Sequence, residues 1–182
     1  IDVAGLGCLD LGQSTGGFTD CLLRHGAARV VGVDVGHGQL HPTLRGDPRV
    51  LCLASVNARR LDVAALAAGG AFERPAGAVS RTDFDLVVGD LSFISLTLVL
   101  PALAPLLAAD GDLLLLVKPQ FELQPDQLGK GGIVRDTGLY AQVEQRLRAA
   151  CAAVGLAVQA WLDSPILGGD GNREFFIHAR SA

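Results

Sequence analysis

The chain has 182 residues, 49% hydrophobic and 19% charged, which fits one domain with a sizeable core and excludes a disordered chain. Its formal net charge of −4 excludes a self-sufficient nucleic-acid binder with a global basic field. There is no methionine, so the chain reads as a piece of something longer, and of its 15 basic residues only Lys118 and Lys130 are lysines.

In chain order, GCLDLG (7–12) reads as a strand that ends in a glycine turn. GGFTDCLLRHGA (16–27) follows with Phe18, Leu22 and Leu23 at helical spacing, and Gly26 suits a helix stop. RVVGVDV (29–35) and RVLCLAS (49–55) predict a second and a third strand. RRLDVAALAA (59–68) predicts a short helix ended by Gly69 and Gly70. FDLVVGDL (84–91) is a fourth strand, with a helix expected over 96–109. GDLLLLVKP (111–119) is a fifth, almost uniformly apolar, as strands covered on both faces are. An alanine-rich helix is expected over 137–154, and LAVQAWLDS and EFFIHARS close the chain as two more strands.

Strand–helix alternation implies an α/β fold, a mostly parallel sheet with helices on both faces. Only SPILGGDGNR joins the last two strands, so the last one is expected to return antiparallel. The chain, 1–182, reads as a single domain. Gly69 to Arg81 is a Gly/Pro-rich loop, and residues 119–138 form a longer one. A loop of about twenty residues in a compact domain is usually functional.

No Cys/His cluster has zinc-site spacing, and no metal is expected. Cys8, Cys21, Cys52 and Cys151 read as small buried hydrophobes of a reducing cytosol. The first residues lack the basic region and apolar core of a signal peptide. The apolar stretch 91–109 approaches the length of a membrane span, but Ser92, Ser95, Thr97, Pro101 and Pro105 point to a buried crossover helix. These readings place the chain in the cytoplasm, away from membranes.

The first strand runs into Gly12-Gln13-Ser14-Thr15-Gly16-Gly17-Phe18. Glycines let backbone approach a ligand, and the helix that follows offers unpaired N–H groups. Asp34 stands at the end of the second strand, where a carboxylate accepts hydrogen bonds from both hydroxyls of a ribose. Open sheets bind ligands at the carboxyl ends of their strands. The pattern G-x-x-x-G-G lacks the middle glycine of the dinucleotide fingerprint G-x-G-x-x-G. It favours a nucleoside cofactor without a pyrophosphate, S-adenosylmethionine, over a nicotinamide dinucleotide. A tight strand–helix turn with no ligand stays open.

Three more segments place chemistry at strand ends. Asp90 closes the fourth strand, Lys118 closes the fifth, and Glu174 opens the last. If the last strand is antiparallel, all three converge beside the glycine loop. An ordinary ion pair is the alternative for each. Lys130 stands among glycines in the long loop, within reach of a phosphate, with Arg135 nearby; a solvated loop lysine is equally compatible. An aromatic content of 5% leaves few stacking platforms for RNA bases.

The segments LDLGQSTGGFTDCLLRHGAARVVGVDVGHGQL, VVGDLSFISL, LVKPQFE, GKGGIVRD and GNREFF follow in this order over nearly the whole chain. They resemble the methyltransferase domain of the TlyA family, FtsJ-like ribosomal RNA 2′-O-methyltransferases often called hemolysins. The resemblance implies a Rossmann-like, S-adenosylmethionine-dependent fold: a seven-stranded, mostly parallel sheet with an antiparallel last strand. It implies methyl transfer to a cytidine ribose 2′-hydroxyl in 16S and, in some members, 23S rRNA. It places S-adenosylmethionine against Gly12, Ser14, Thr15, Gly16, Gly17 and Phe18, its ribose at Asp34, its adenine at Asn57 and Ala58, and its methionine moiety near Asp90. Asp90, Lys118 and Glu174 match the last three members of the family's Lys-Asp-Lys-Glu tetrad. The first lysine is expected just upstream of the first strand, where residues 1–6 hold none. An S4-type RNA-binding domain is likewise expected upstream, as the means of reaching rRNA or ribosomal subunits. His41-Pro42, after GHGQL, departs from the family's helical continuation and leaves that loop undetermined.

A ribose hydroxyl is a poor nucleophile until its proton leaves. Lys118 is the candidate to accept or orient that proton, aligned by Asp90 and Glu174. The methyl group then moves in line from the sulfonium, so positioning dominates the rate. Two competing readings are a nicotinamide-dependent oxidoreductase and a membrane-active hemolysin. The second finds neither a spanning segment nor a basic amphipathic helix in the sequence.

Overall fold

The apolar runs become strands, and their need for cover on both faces dictates the layering. The structure is a computed structural model that describes residues 1–72 and 81–182. Most of the loop expected from Gly69 to Arg81 therefore lies outside the described residues. Strands β1 (Gly7–Leu11), β2 (Arg29–Asp34), β3 (Val50–Ala54), β4 (Phe84–Gly89), β5 (Leu107–Val117), β6 (Leu156–Asp163) and β7 (Phe175–Ser181) form a seven-stranded sheet in the order β3-β2-β1-β4-β5-β7-β6. The pairs among β1 to β5 are parallel, while β7 runs antiparallel to both β5 and β6. This is the α/β arrangement expected, with the last strand reversed.

Successive strand residues point to opposite faces and feed two cores. Leu9, Leu11, Val31, Val33 and Val87 join one cluster, and Cys8, Val30, Leu86 and Val88 join the other. The first is covered by α3 (Val63–Ala68) through Leu66, by α4 (Leu100–Leu103) through Leu100 and Leu103, and by α5 (Gly138–Ala153) through Val143, Leu147 and Cys151. The second is covered by α1 (Gly17–Arg24) through Leu22 and Leu23 and by α2 (Pro42–Arg45) through Leu44.

Several elements differ from expectation for local reasons. The helix expected over 96–109 is two 3-10 turns, Leu96–Leu98 and Ala104–Leu106, flanking the single turn of α4. Pro101 and Pro105 each fall in the first turn of a new short helix, because proline donates no N–H to a continuing one. Strand β5 then starts at Leu107, and a register shift opposite Phe84 and Leu86 absorbs the extra residues. The loop after β2 contains α2, started by Pro42 and capped by the His41 ring, which accepts from the Thr43 N–H at 3.3 Å. The helix expected over 59–68 splits at Leu61; Asp62 caps its second half by accepting from the Ala65 N–H. Cys8 and Cys151 are buried, but Cys21 and Cys52 are exposed. Cys52 sits on the edge strand β3, and Cys21 on the outer side of α1. No helix of the described residues is long and apolar enough to cross a membrane.

The register of β7 on β5 matters most for the site. Asp112 pairs with Arg180, and the ladder runs to Val117 opposite Phe175. One further step sets Glu174 beside Lys118. The buried Asp112 carboxylate pins the far end: it accepts from Arg180 Nε at 2.7 Å and Nη2 at 3.0 Å, with His178 Nε2 at 2.5 Å. Burial pushes the Asp112 carboxyl up, but its hydrogen bonds with Arg180 and His178 outweigh that and hold it below the usual carboxylate value. A lowered carboxyl stabilises the fold above its unfolded value of 3.8, and that contribution is lost as pH falls through the lowered one. Asp112→Asn is therefore expected to destabilise by about 1–2 kcal/mol at pH 7 and by progressively less as the pH is taken below 3.8, read from urea denaturation across that range.

Candidate active site at the carboxyl edge of the sheet

The chain leaves β1 and β4 in opposite directions along the sheet, so a crevice opens at their carboxyl ends. Gly12 forms its floor. Its φ is +72°, and a Cβ there would run into the Asp90 carbonyl oxygen, so only glycine fits. Its N–H donates to the Val33 carbonyl and the Asp90 N–H to the Leu11 carbonyl, each at 2.9 Å. The turn is thereby locked between the ends of β2 and β4. The cleft encloses about 520 Å³ and is lined by Gly12, Ser14, Asp34, Asn57, Ala58 and Asp90, with Val33, Val56 and Ile94 as apolar walls.

The remaining glycine-loop residues face elsewhere. Gly16 (φ +100°) turns the chain into α1 under the side chains of Leu40 and Leu44. Thr15, Gly16 and Gly17 consequently border a separate depression with His41 and Thr43. Phe18 borders a third with Cys21 and Leu22, its ring 6.5 Å from that of Phe176.

Asp34 is half-buried. Its two carboxylate oxygens accept from the Ser14 N–H at 2.8 Å and the Gly36 N–H at 2.7 Å, which orients the group and leaves lone pairs for a ligand. Asn57 accepts from the Arg59 N–H at 3.0 Å through Oδ1, which leaves its amide donors. Gln39 also lines the cleft, with no signal in the sequence to single it out.

Charge gathers at one end. Lys118 Nζ lies 2.6 Å from Asp90 Oδ1 and donates to Ser92 Oγ at 3.0 Å. The Lys118 side chain is only 15% exposed, so its direction is fixed by packing as well as by charge. Glu174 is buried beside them. Burial pushes its carboxyl up, Lys118 pulls it back and Asp90 pushes it further. Glu174 thus feels both groups, though among the described residues it makes no direct ion pair with either. Ser92 was not legible as a Lys118 partner; only the segment around it was.

At the mouth, Phe93 is 90% exposed and holds φ +64°, a left-handed conformation that a bulky residue keeps only where its surroundings enforce it. Its ring lies 5.0 Å from that of Phe121. Lys130 and Arg135 are exposed on the long loop. Buried Asn172 ties that loop to the start of β7, accepting from the Val134 N–H at 2.9 Å and donating to the Gly132 carbonyl at 3.1 Å.

With this geometry in place, comparison with known proteins is decisive: a family model described as FtsJ-like methyltransferase matches residues 1–181. The chain belongs to the FtsJ-like methyltransferase family. It is 46% identical over 181 residues to a 16S/23S rRNA (cytidine-2′-O)-methyltransferase, TlyA, of Mycobacterium tuberculosis strain H37Rv, a match that takes in 100% of this chain and 62% of that protein. It is 37% identical over 171 residues to Hemolysin A of Brachyspira hyodysenteriae, covering 94% of this chain and 66% of the relative. The chain therefore spans about 62% of the length of the TlyA it matches. Among solved structures, a hemolysin-like protein of Streptococcus thermophilus superposes with a TM-score of 0.88 at 38% identity, over 100% of this chain and 61% of that one. An S-adenosylmethionine dependent methyltransferase of Mesorhizobium loti shares the fold alone, with a TM-score of 0.64 at 15% identity over 99% of this chain and 93% of its own.

Beneath the cleft of this FtsJ-like domain lies a polar network that the sequence did not disclose. The Thr19 hydroxyl donates to Asp10 Oδ2 at 2.6 Å and accepts from Gln13 Nε2 at 2.9 Å. The Gln13 amide lies over Gly32, the cross-strand neighbour of Asp10, where any Cβ would displace it. Among the described residues, neither Asp10 Oδ1 nor Gln13 Oε1 has a hydrogen-bond partner. Burial pushes the Asp10 carboxyl up to about 6; Thr19 opposes that, and the charges of Asp90 and Asp34 add to it. A raised carboxyl stabilises the fold fully below 3.8, and that contribution is lost as pH rises through about 6. Relative to Asp10→Asn, the wild-type domain is expected to gain about 2 kcal/mol between pH 7 and pH 4, measured from denaturant midpoints.

Proposed function

We propose that the chain is the catalytic domain of an S-adenosylmethionine-dependent enzyme that methylates a ribose 2′-hydroxyl, that of a cytidine, in ribosomal RNA. The observation that carries this reading is the Lys118–Asp90 pair, 2.6 Å apart at the mouth of a nucleoside-sized cleft with Glu174 beside it. The name of the M. tuberculosis relative supports the substrate class.

The residues of the cleft fit the cofactor. Asp34 offers carboxylate lone pairs to ribose hydroxyls, Asn57 offers amide donors to a base edge, and Val33, Val56 and Ile94 offer apolar walls to a base. The start of α1, where a dinucleotide pyrophosphate would sit, opens onto a different depression, which favours S-adenosylmethionine over a nicotinamide cofactor. When bound, S-adenosylmethionine supplies an electrophilic methyl group.

The side chains at the mouth prepare the acceptor. Lys118, held by Asp90 and Ser92, orients the 2′-oxygen and stabilises the negative charge that grows there as the hydroxyl proton passes to solvent water and the oxygen takes the methyl group. Asp90 and Glu174 hold the ammonium in line, so that positioning supplies most of the rate. Phe93 presents an exposed ring on which a base stacks, and Lys130 and Arg135 are placed for phosphates. With a net charge of −4, most RNA affinity is assigned to the S4-type module implied by the family resemblance, acting on rRNA or ribosomal subunits.

Lys118→Ala in the full-length protein is expected to reduce 2′-O-methylation by about 10²–10⁴-fold while leaving the dissociation constant for S-adenosylmethionine unchanged. Asp34→Ala is expected to do the reverse and weaken cofactor binding first. Calorimetry with the cofactor and methyl transfer to ribosomal subunits separate the two, and a Lys118→Ala protein with full activity contradicts the assignment.

A further inference from the structure

We propose that Glu122 is a positioning residue that sets the spacing between Lys118 and Asp90, an inference that rests on the functional reading of those two residues. The β4–β5 ladder ends at Gly89 opposite Leu115, so backbone pairing stops before either residue is reached. Asp90 lies in the loop after β4 and Lys118 in the loop after β5, and among the described residues no backbone–backbone hydrogen bond joins these loops.

They meet at three points. On the cleft side Lys118 reaches Asp90 and Ser92. At the mouth Phe93 lies against Phe121. On the inner side Glu122, only 3% exposed, reaches from the Lys118 loop into the Asp90 loop. Its Oε1 accepts from the Leu96 N–H at 2.7 Å, and its Oε2 accepts from the Ser95 hydroxyl at 2.6 Å. Arg146 of α5 donates to the same carboxylate at 3.1 Å and also to the Glu122 carbonyl oxygen. One buried anion therefore joins both catalytic loops to the helix behind them.

A buried carboxylate is costly unless it is fully paired, and this one is. Lys118 and Glu122 bracket one 3-10 turn, Pro119–Phe121. A shift of the Glu122 end relative to Ser95 and Leu96 is passed through that turn to Lys118. Glu122 does not itself line the cofactor cleft and is remote from its ribose and base end at Asp34, Asn57 and Ala58, but the loop it holds lines the cleft at Asp90 and Ile94, so its loss is expected to lower turnover more than cofactor affinity.

Glu122→Ala and Glu122→Gln in the full-length protein test this with four readouts: turnover on ribosomal subunits, affinity for S-adenosylmethionine, thermal midpoint, and hydrogen exchange at the Leu96 amide. For Glu122→Ala we expect turnover to fall about tenfold to a hundredfold, the loss that small misplacements of reacting groups cause. Cofactor affinity is expected to fall much less than turnover, and the Leu96 amide to exchange faster. Glu122→Gln keeps an acceptor for Leu96 and is expected to recover part of the turnover. Unchanged turnover in Glu122→Ala overturns the proposal, as does an equal loss of turnover, cofactor affinity and thermal midpoint in both variants. A wild-type protein that fails to methylate rRNA overturns the functional reading instead; faster Leu96 exchange in Glu122→Ala then still supports the link between the loops, and unchanged exchange overturns it.

Discussion

The reversal of β7 is the constraint on which the active edge depends. Inserted antiparallel between β5 and β6, it begins where the parallel strands end. A parallel strand in that position would carry Glu174 to the opposite edge, away from Asp90 and Lys118. The register is held at the far end by Asp112 with Arg180 and His178, so an ion cluster at one edge of the sheet fixes which residue arrives at the other.

That edge is rich in negative charge. Asp10, Asp34, Asp90 and Glu174 lie near one another, with Lys118 as the ammonium that Asp90 holds. Such an environment favours a cationic ligand over a pyrophosphate, which agrees with the proposed sulfonium cofactor and with the glycine turn's departure from the dinucleotide pattern. The same field leaves little attraction for an RNA backbone. Contacts to RNA in the proposal are accordingly few: an aromatic face at Phe93 and two cations on the loop that Asn172 ties down.

Much of the architecture was legible because strand runs are local. β1 to β7 announce themselves as short apolar segments, and the brevity of the last connector reveals the reversed strand. Asp90 and Lys118 were legible as strand-end residues, and Glu174 only once β7 was taken as antiparallel. The crossover after β4 was misread because its apolar content suits a helix while Pro101 and Pro105 break one. Gly17 and Phe18 lie close to Gly12 in sequence, yet past the turn at Gly16 they border depressions other than the cleft. Buried polar partners were invisible for a different reason. Glu122 finds Ser95 from 27 residues away and Asn172 finds Val134 from 38, and no periodicity marks such pairs.

The central claim is that this edge delivers a methyl group to a ribose oxygen of ribosomal RNA. Its most direct test is to treat ribosomal subunits with the full-length protein and S-adenosylmethionine carrying a labelled methyl group, then digest the RNA to nucleosides and separate them. The account predicts label in 2′-O-methylcytidine. Label on a base atom, or no transfer to RNA from an active preparation that binds the cofactor, would contradict it.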